Sequence, residues 1–257
     1  MTRQKPNPTK SFLDFFTKQS KSYAQFRPRY PAALFDWIKS VVSARDVAWD
    51  CATGNGQAAV ALAEFFFHVH ATDGSGAQVA QGIPHPHVTY REALAQVSGL
   101  ADHSVDLVTV AQALHWFAGD AFYREVRRVT RPGGLLIVWC YGFHRPMGDD
   151  LDPTIDHFSH EVLKSYWPEN NRLIWNGYRD LPFPFAKLET PSLLLEAQAN
   201  LFEYVGFIES WSATAKLRNA EGAASLEFFC EQLRDKWGDP IQKRPVVWDL
   251  SILAGQV

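Results

Sequence analysis

"VAWDCATGNGQAAVALAE", Val47 to Glu64, decides how the chain is read. It opens on a run able to form a buried strand, turns through Gly54 and Gly56 around a single asparagine, and continues into an alanine-rich stretch with helical propensity. A strand, a glycine loop and a helix in that order leave helix N–H groups unsatisfied beside a bare backbone, where a ligand can approach. Any tight turn also needs glycine, so the loop alone leaves ligand binding and plain turn geometry both open.

The surrounding rhythm places that loop in a sheet. "DVAWDC", "HVHATD", "HVTYRE", "SVDLVTV" and "GLLIVWC" are short apolar or β-branched runs, with helix-like segments such as "QAAVALAEFF" and "GDAFYREVRRVT" in several gaps. "TRPGG" reads as a helix end and a turn before the fifth strand. Alternating strands and helices predict an α/β fold with a doubly wound, mostly parallel sheet covered on both faces. After Cys140 the rhythm is lost, and aromatic, proline, asparagine and charged residues suggest a cap. "KLETPSLLLEAQA" and "PVVWDLSIL" are the expected last strands, separated by the helix-like "GAASLEFFCEQLRDKW". The expected organisation is a helical extension over residues 1–44, a ligand-binding core over 45–140, a cap over 141–187 and a C-terminal part over 188–257 that completes the sheet.

Composition narrows the partners. With 46% hydrophobic and 21% charged residues the chain has ordinary globular usage, and its formal charge of -3 gives no general attraction to polyanions. Nucleic acid is therefore not an expected partner. The start, "MTRQKPNPTKSFLDFF", lacks an uninterrupted apolar run before a small-residue cleavage site, and no later segment approaches the roughly 18 apolar residues of a membrane span. Cys51, Cys140 and Cys230 are widely spaced with no CxxC pair, as expected of reduced thiols in a cytoplasmic protein.

Two carboxylates sharpen the reading of the loop. Asp50 closes the first strand, and Asp73 closes the second in "ATDGSG". An acidic side chain at the second position can accept both hydroxyls of a ribose, although either aspartate can also cap a helix. "GNGQAA" fits the relaxed dinucleotide pattern GxGxxA, but a carboxylate at Asp50 would oppose a pyrophosphate and suit the ammonium of an amino-acid tail. S-adenosylmethionine carries that tail together with a ribose and an adenine.

At this point the sequence resembles the class I S-adenosylmethionine-dependent methyltransferases. "AWDCATGNGQAA" looks like their first motif, "HATDGSGAQVA" their second, "SVDLVTVAQALHWF" their fourth-strand motif, and "EVRRVTRPGGLLIVWCY" the helix and fifth strand. "YAQFRPRYP", "QALHWF" and "YVGFIESWSA" resemble the trans-aconitate methyltransferase-like, small-molecule branch. The resemblance implies a seven-stranded Rossmann-like sheet and S-adenosylmethionine held by Tyr23, Arg27, Asp50, Ala52, Thr53, Gly54, Gly56, Gln57, Asp73, Gly74, Ala95, Gln96 and Ala111. Two positions depart from the family pattern. Ala52 stands where the first loop glycine usually sits, and Ala95-Gln96 replaces the usual acidic adenine contact.

Methyl transfer needs alignment of two reactants more than it needs a metal. Aromatic faces suit a sulfonium, which makes Tyr23, Trp116, Phe117 and Tyr141 candidates beside it. His115, just after the fourth strand, is either a base for a hydroxyl acceptor or a group that positions the substrate. Arg27, His115, Trp116, Tyr141 and Trp175 are the candidate substrate contacts, with Arg145, Arg172 and Arg179 in the expected cap. His68 with His70, and His157, His160 with Glu161, lack the further ligand pair of a metal site, so no metal is expected. The sequence thus points to a small-molecule O-methyltransferase, with a carboxylate as one possible acceptor. The alternatives are a nucleoside-binding regulator on the same fold and a dinucleotide-dependent oxidoreductase.

Overall fold

The structure is a computed structural model that describes residues 28–145, 147–148 and 150–257. Five parallel strands, β1 (Val47–Cys51), β2 (His68–Asp73), β3 (Val88–Glu92), β4 (Val105–Ala111) and β5 (Thr130–Tyr141), are joined by β6 (Ala186–Lys187), β7 (Leu193–Ala199) and β8 (Arg244–Gln256). The sheet path runs β3-β2-β1-β4-β5-β8-β6, and β7 also pairs with β8. Strand β8 lies antiparallel to β5, with Tyr141 opposite Leu250 and Leu135 opposite Gln256. The mostly parallel, doubly wound fold is as expected, with eight strands where seven were anticipated.

The period-2 pattern of the strands explains why both faces are covered. Ala48 and Leu107 face one way with Ile137 and Trp139, and they pack on Leu34 and Ile38 of α1 (Ala32–Val41) and on Ala58, Ala59 and Leu62 of α2 (Gln57–Ala63). Their neighbours Trp49, Val108, Leu136 and Val138 face the other way, against Phe122, Val126 and Val129 of α4 (Asp120–Val129). Each large aliphatic side chain removed from water contributes about 1.5–3 kcal/mol, so a shift of register by one residue would exchange two buried faces. Helix α4 also carries Asp120 in its first turn and Arg127 and Arg128 in its last, as its dipole favours. Between β2 and β3 lies the short helix α3 (Gly76–Val79).

"TRPGG" differs from its expected role as a turn before the strand. Strand β5 already begins at Thr130, and the pairing with β4 shifts register between Val105 and Leu107. Gly133 takes φ 82°, and a Cβ on Gly134 would lie 2.8 Å from the Asp106 carbonyl oxygen, so the two glycines make an irregular strand entry that a side chain would block.

The chain divides into two compact units. The sheet unit comprises Arg29–His144, Glu169–Leu195 and Trp248–Val257, and includes α6 (Asn171–Trp175). The other holds Arg145–Pro168 and Glu196–Val247, with α5 (Asp152–Asp156), a π-helical turn (His157–Val162), α7 (Leu201–Glu209), α8 (Ser212–Glu221) and α9 (Ala224–Trp237). Of the expected cap over 141–187, residues 145–168 fall in the helical unit and residues 169–187 in the sheet unit. Phe158 and Phe229 stack at 4.2 Å within that helical unit, and Asn200 and Glu203 form a reciprocal capping box at the start of α7.

Candidate active site

The order of the strands reverses between β1 and β4, and in open α/β sheets ligands bind beyond the carboxyl ends at that point. The loop after β1 is held there by its own backbone. Ala52, Gly54 and Gly56 take φ of 57°, 59° and 86°, so every second residue is left-handed. Ala52 adopts the conformation that glycine ordinarily supplies, at a cost of about 1–2 kcal/mol for an L-residue. The Thr53 N–H bonds the Thr72 carbonyl at 2.9 Å, and the Gly56 N–H bonds the Thr53 carbonyl at 2.9 Å. A Cβ on Gly54 would meet nothing within 4 Å, which leaves that backbone open to a ligand. On Gly56 it would overlap the hydroxyl of Tyr90, which itself donates to the Ile83 carbonyl at 2.8 Å.

Asp50 is fully buried. Its carboxylate accepts the Thr53 hydroxyl at 2.5 Å and the Thr109 hydroxyl at 2.8 Å. Burial pushes its carboxyl up to about 6, offset in part by those two hydroxyls and the Ala59 N–H, and aided by the nearby negative charge of Asp73. Asp50 was expected to meet the ammonium of a cofactor tail; its oxygens turn inward to the two hydroxyls and organise the loop. A strand-end aspartate does not reveal in sequence which way its oxygens point; the threonines at 53 and 109 decide it.

Asp73 is half-buried and differently engaged. One oxygen accepts the Gly54 N–H and the other the Ser75 N–H, both at 2.9 Å, which ties the loops after β1 and β2 together. A carboxylate has about four lone-pair sites, so capacity remains for ribose hydroxyls. Leu94 lies 3.5 Å from where a Cβ on Gly74 would stand. Beyond β3, Ala95 and Gln96 form the tip of a turn closed by a bridge between Leu94 and Val97. Gln57 is the first residue of α2, and Ala111 the last of β4, paired with Trp139.

One contributor was missed in the sequence. Gln112, left-handed at φ 56°, donates from its side-chain amide to the Tyr141 carbonyl and accepts the Tyr141 N–H, both at 2.9 Å. It imitates a strand partner and fixes the carboxyl ends of β4 and β5. An amide directly after a strand, within "QALHWF", was the available signal.

His115 sits in the one-turn 3-10 helix Leu114–Trp116 that follows, 8% exposed. Its Nδ1 lies 3.0 Å from the Tyr178 hydroxyl, and its carbonyl accepts the Asn170 amide at 3.1 Å. Burial pushes its pKa down to about 4, so it is neutral near pH 7. Trp116 is 62% exposed, with its ring 5.0 Å from that of His115. Phe117 instead packs at 4.9 Å on Phe122 of α4 and belongs to the core. Tyr141 lies 6.0 Å from Trp248, and Trp175 stacks on Phe143 at 5.4 Å. Tyr23 and Arg27 lie outside the described residues. Among the described residues no three ligating side chains gather as for a metal, and no helix is long and apolar enough to cross a membrane.

A glycine loop left open at Gly54 and an acidic residue closing β2, beside the switch point between β1 and β4, are the features of a doubly wound α/β domain with its ligand edge at that loop. Comparison with known proteins gives the family. Residues 49–138 match the methyltransferase domain model. A Dictyostelium discoideum protein named "Putative methyltransferase" is 36% identical over 219 residues, 84% of this chain and 82% of that protein. A Saccharomyces cerevisiae protein named "Probable S-adenosylmethionine-dependent methyltransferase" is 26% identical over 76% of this chain and 79% of its own. The solved structure of a "Putative Type II Methyltransferase" from Anaeromyxobacter dehalogenans superposes with TM-score 0.82 at 43% identity, covering 90% of this chain and 97% of that one. The chain belongs to the class I S-adenosylmethionine-dependent methyltransferases.

Proposed function

We propose that the enzyme methylates an oxygen of a small molecule, with a carboxylate as the acceptor, by direct in-line transfer. S-adenosylmethionine supplies an electrophilic methyl group on a sulfonium sulfur when bound. The open backbone at Gly54, the spare acceptor capacity of Asp73 and the Ala95–Gln96 turn suit such a ligand, and these residues would hold it. Resemblance of "QALHWF" to the trans-aconitate methyltransferase-like branch supports an acid as acceptor.

His115 is the observation that carries the acceptor class. A general base works best with a pKa near the operating pH, whereas burial takes His115 down to about 4, and burial is the whole of its shift. A carboxylate is already ionised at pH 7, so an acceptor of that class would need no base and no proton would have to leave it. Small carboxylic acids and phenols, screened with methyl-labelled S-adenosylmethionine, test the reading. Methyl esters are the expected products. Turnover confined to phenols or amines would refute the carboxylate assignment.

A further inference from the structure

The bond between His115 Nδ1 and the Tyr178 hydroxyl, 3.0 Å long and buried, spans 63 residues of sequence. Its direction follows from counting donors. Tyr178 is 1% exposed, and among the described residues its hydroxyl has no hydrogen-bond acceptor other than Nδ1. The phenol proton therefore has Nδ1 as its acceptor among the described residues. Were Nδ1 the donor, the phenol proton would be buried without a partner, which is the costlier arrangement. A neutral imidazole that accepts at Nδ1 carries its proton on Nε2. That atom has no protein partner among the described residues, and it is not a sequestered, unsatisfied one.

The backbone around Tyr178 is built for this placement. Gly177 and Tyr178 are left-handed at φ 65° and 63°, a conformation that a bulky residue rarely adopts. A Cβ on Gly177 would overlap the Ser251 hydroxyl oxygen, so the approach requires glycine. The Tyr178 N–H bonds the Leu173 carbonyl at 2.7 Å, and Asn170 grips the His115 carbonyl from the same segment. The titratable groups that bear on the phenol are the Cys140 thiol and the Tyr30 hydroxyl, and burial holds the phenol itself far above its ordinary value. No carboxylate or cation contributes to the shift of His115.

We infer that Tyr178 is a positioning residue that locks His115 as its Nε2–H tautomer, so that His115 donates a hydrogen bond to an anionic acceptor oxygen of the substrate and does not remove a proton. The substrate half of this inference rests on the carboxylate reading above; the tautomer half does not.

The experiment is nitrogen-15 NMR of histidine-labelled full-length protein, wild type and Tyr178→Phe, followed by kinetics with a carboxylic acid that is turned over. Wild-type His115 should show the proton on Nε2 across neutral pH, and Tyr178→Phe should give a mixture of both tautomers. With the acceptor, Tyr178→Phe should raise KM by about tenfold or more while kcat stays within about twofold, the scale of one charge-assisted hydrogen bond. His115→Gln, which keeps a side-chain N–H donor, should recover more kcat/KM than His115→Ala. A wild-type Nδ1–H tautomer, or one tautomer unchanged in Tyr178→Phe, overturns the lock. An Nε2–H tautomer together with methylation only of phenols leaves the lock standing and sinks the carboxylate reading.

Discussion

Asp73 and Gly54 are joined by a 2.9 Å bond from the glycine N–H to one carboxylate oxygen, so the residue expected to meet the ribose also fixes the loop expected to meet the rest of the cofactor. Binding and loop order are therefore coupled through one side chain. Asp73→Ala should weaken S-adenosylhomocysteine binding by roughly 1.5–3 kcal/mol, the scale of a hydrogen bond to a charged group, while Asp73→Asn, which keeps one acceptor oxygen, should lose less. Calorimetry on both variants checks this. Unchanged affinity in a folded Asp73→Ala protein would remove Asp73 from the site.

Asp50 gives a stability prediction with a defined sign. Its carboxyl is raised from 3.8 to about 6, so between those values the folded protein holds a proton that the unfolded chain has lost. The contribution of this group is therefore complete at low pH and declines as pH rises through 6, by on the order of 2–3 kcal/mol. Asp50→Asn cannot titrate, so its stability relative to wild type should improve from about pH 4 to about pH 7.5. Urea unfolding at the two pH values measures the difference, and a difference independent of pH would show that Asp50 ionises normally in the folded state.

The two unusual positions of the glycine loop should respond in opposite directions. Gly56→Ala would force a methyl into the Tyr90 hydroxyl at φ 86°, and should cost roughly 1–3 kcal/mol from overpacking in addition to about 1 kcal/mol from the backbone. Ala52→Gly relieves a left-handed alanine at φ 57° and should stabilise by about 0.5–1 kcal/mol after the entropy of the unfolded glycine is counted. Denaturation midpoints of the two variants would have to move in the same direction for this account of the loop to fail.

Gln112→Ala removes both bonds to the Tyr141 main chain. Amide exchange at Tyr141 should accelerate by about tenfold or more, with little change at Leu136 in the middle of β5, because each bond contributes about 1 kcal/mol and only the strand end loses them. Equal protection of Tyr141 in variant and wild type would mean that β8 alone holds the end of β5.

What was legible in the sequence is what neighbouring residues decide. Alternation of Ala48 with Trp49 and of Leu107 with Val108 gave strands buried on both faces, and glycines 54 and 56 gave a loop at the carboxyl edge, because period and backbone freedom are properties of short segments. The position of Asp73 was legible for the same reason, as the last residue of a recognisable strand. Side-chain direction and long-range partnership were decided only by the tertiary structure. Thr109 reaches Asp50 across 59 residues, Gln112 reaches Tyr141 across 29 and Tyr178 reaches His115 across 63. Those contacts arise from the register of β1 on β4, of β4 on β5, and from a left-handed turn at Gly177 and Tyr178. Whether an aspartate faces a ligand or the core, and which nitrogen of a histidine bears the proton, depends on groups that only packing brings within 3 Å.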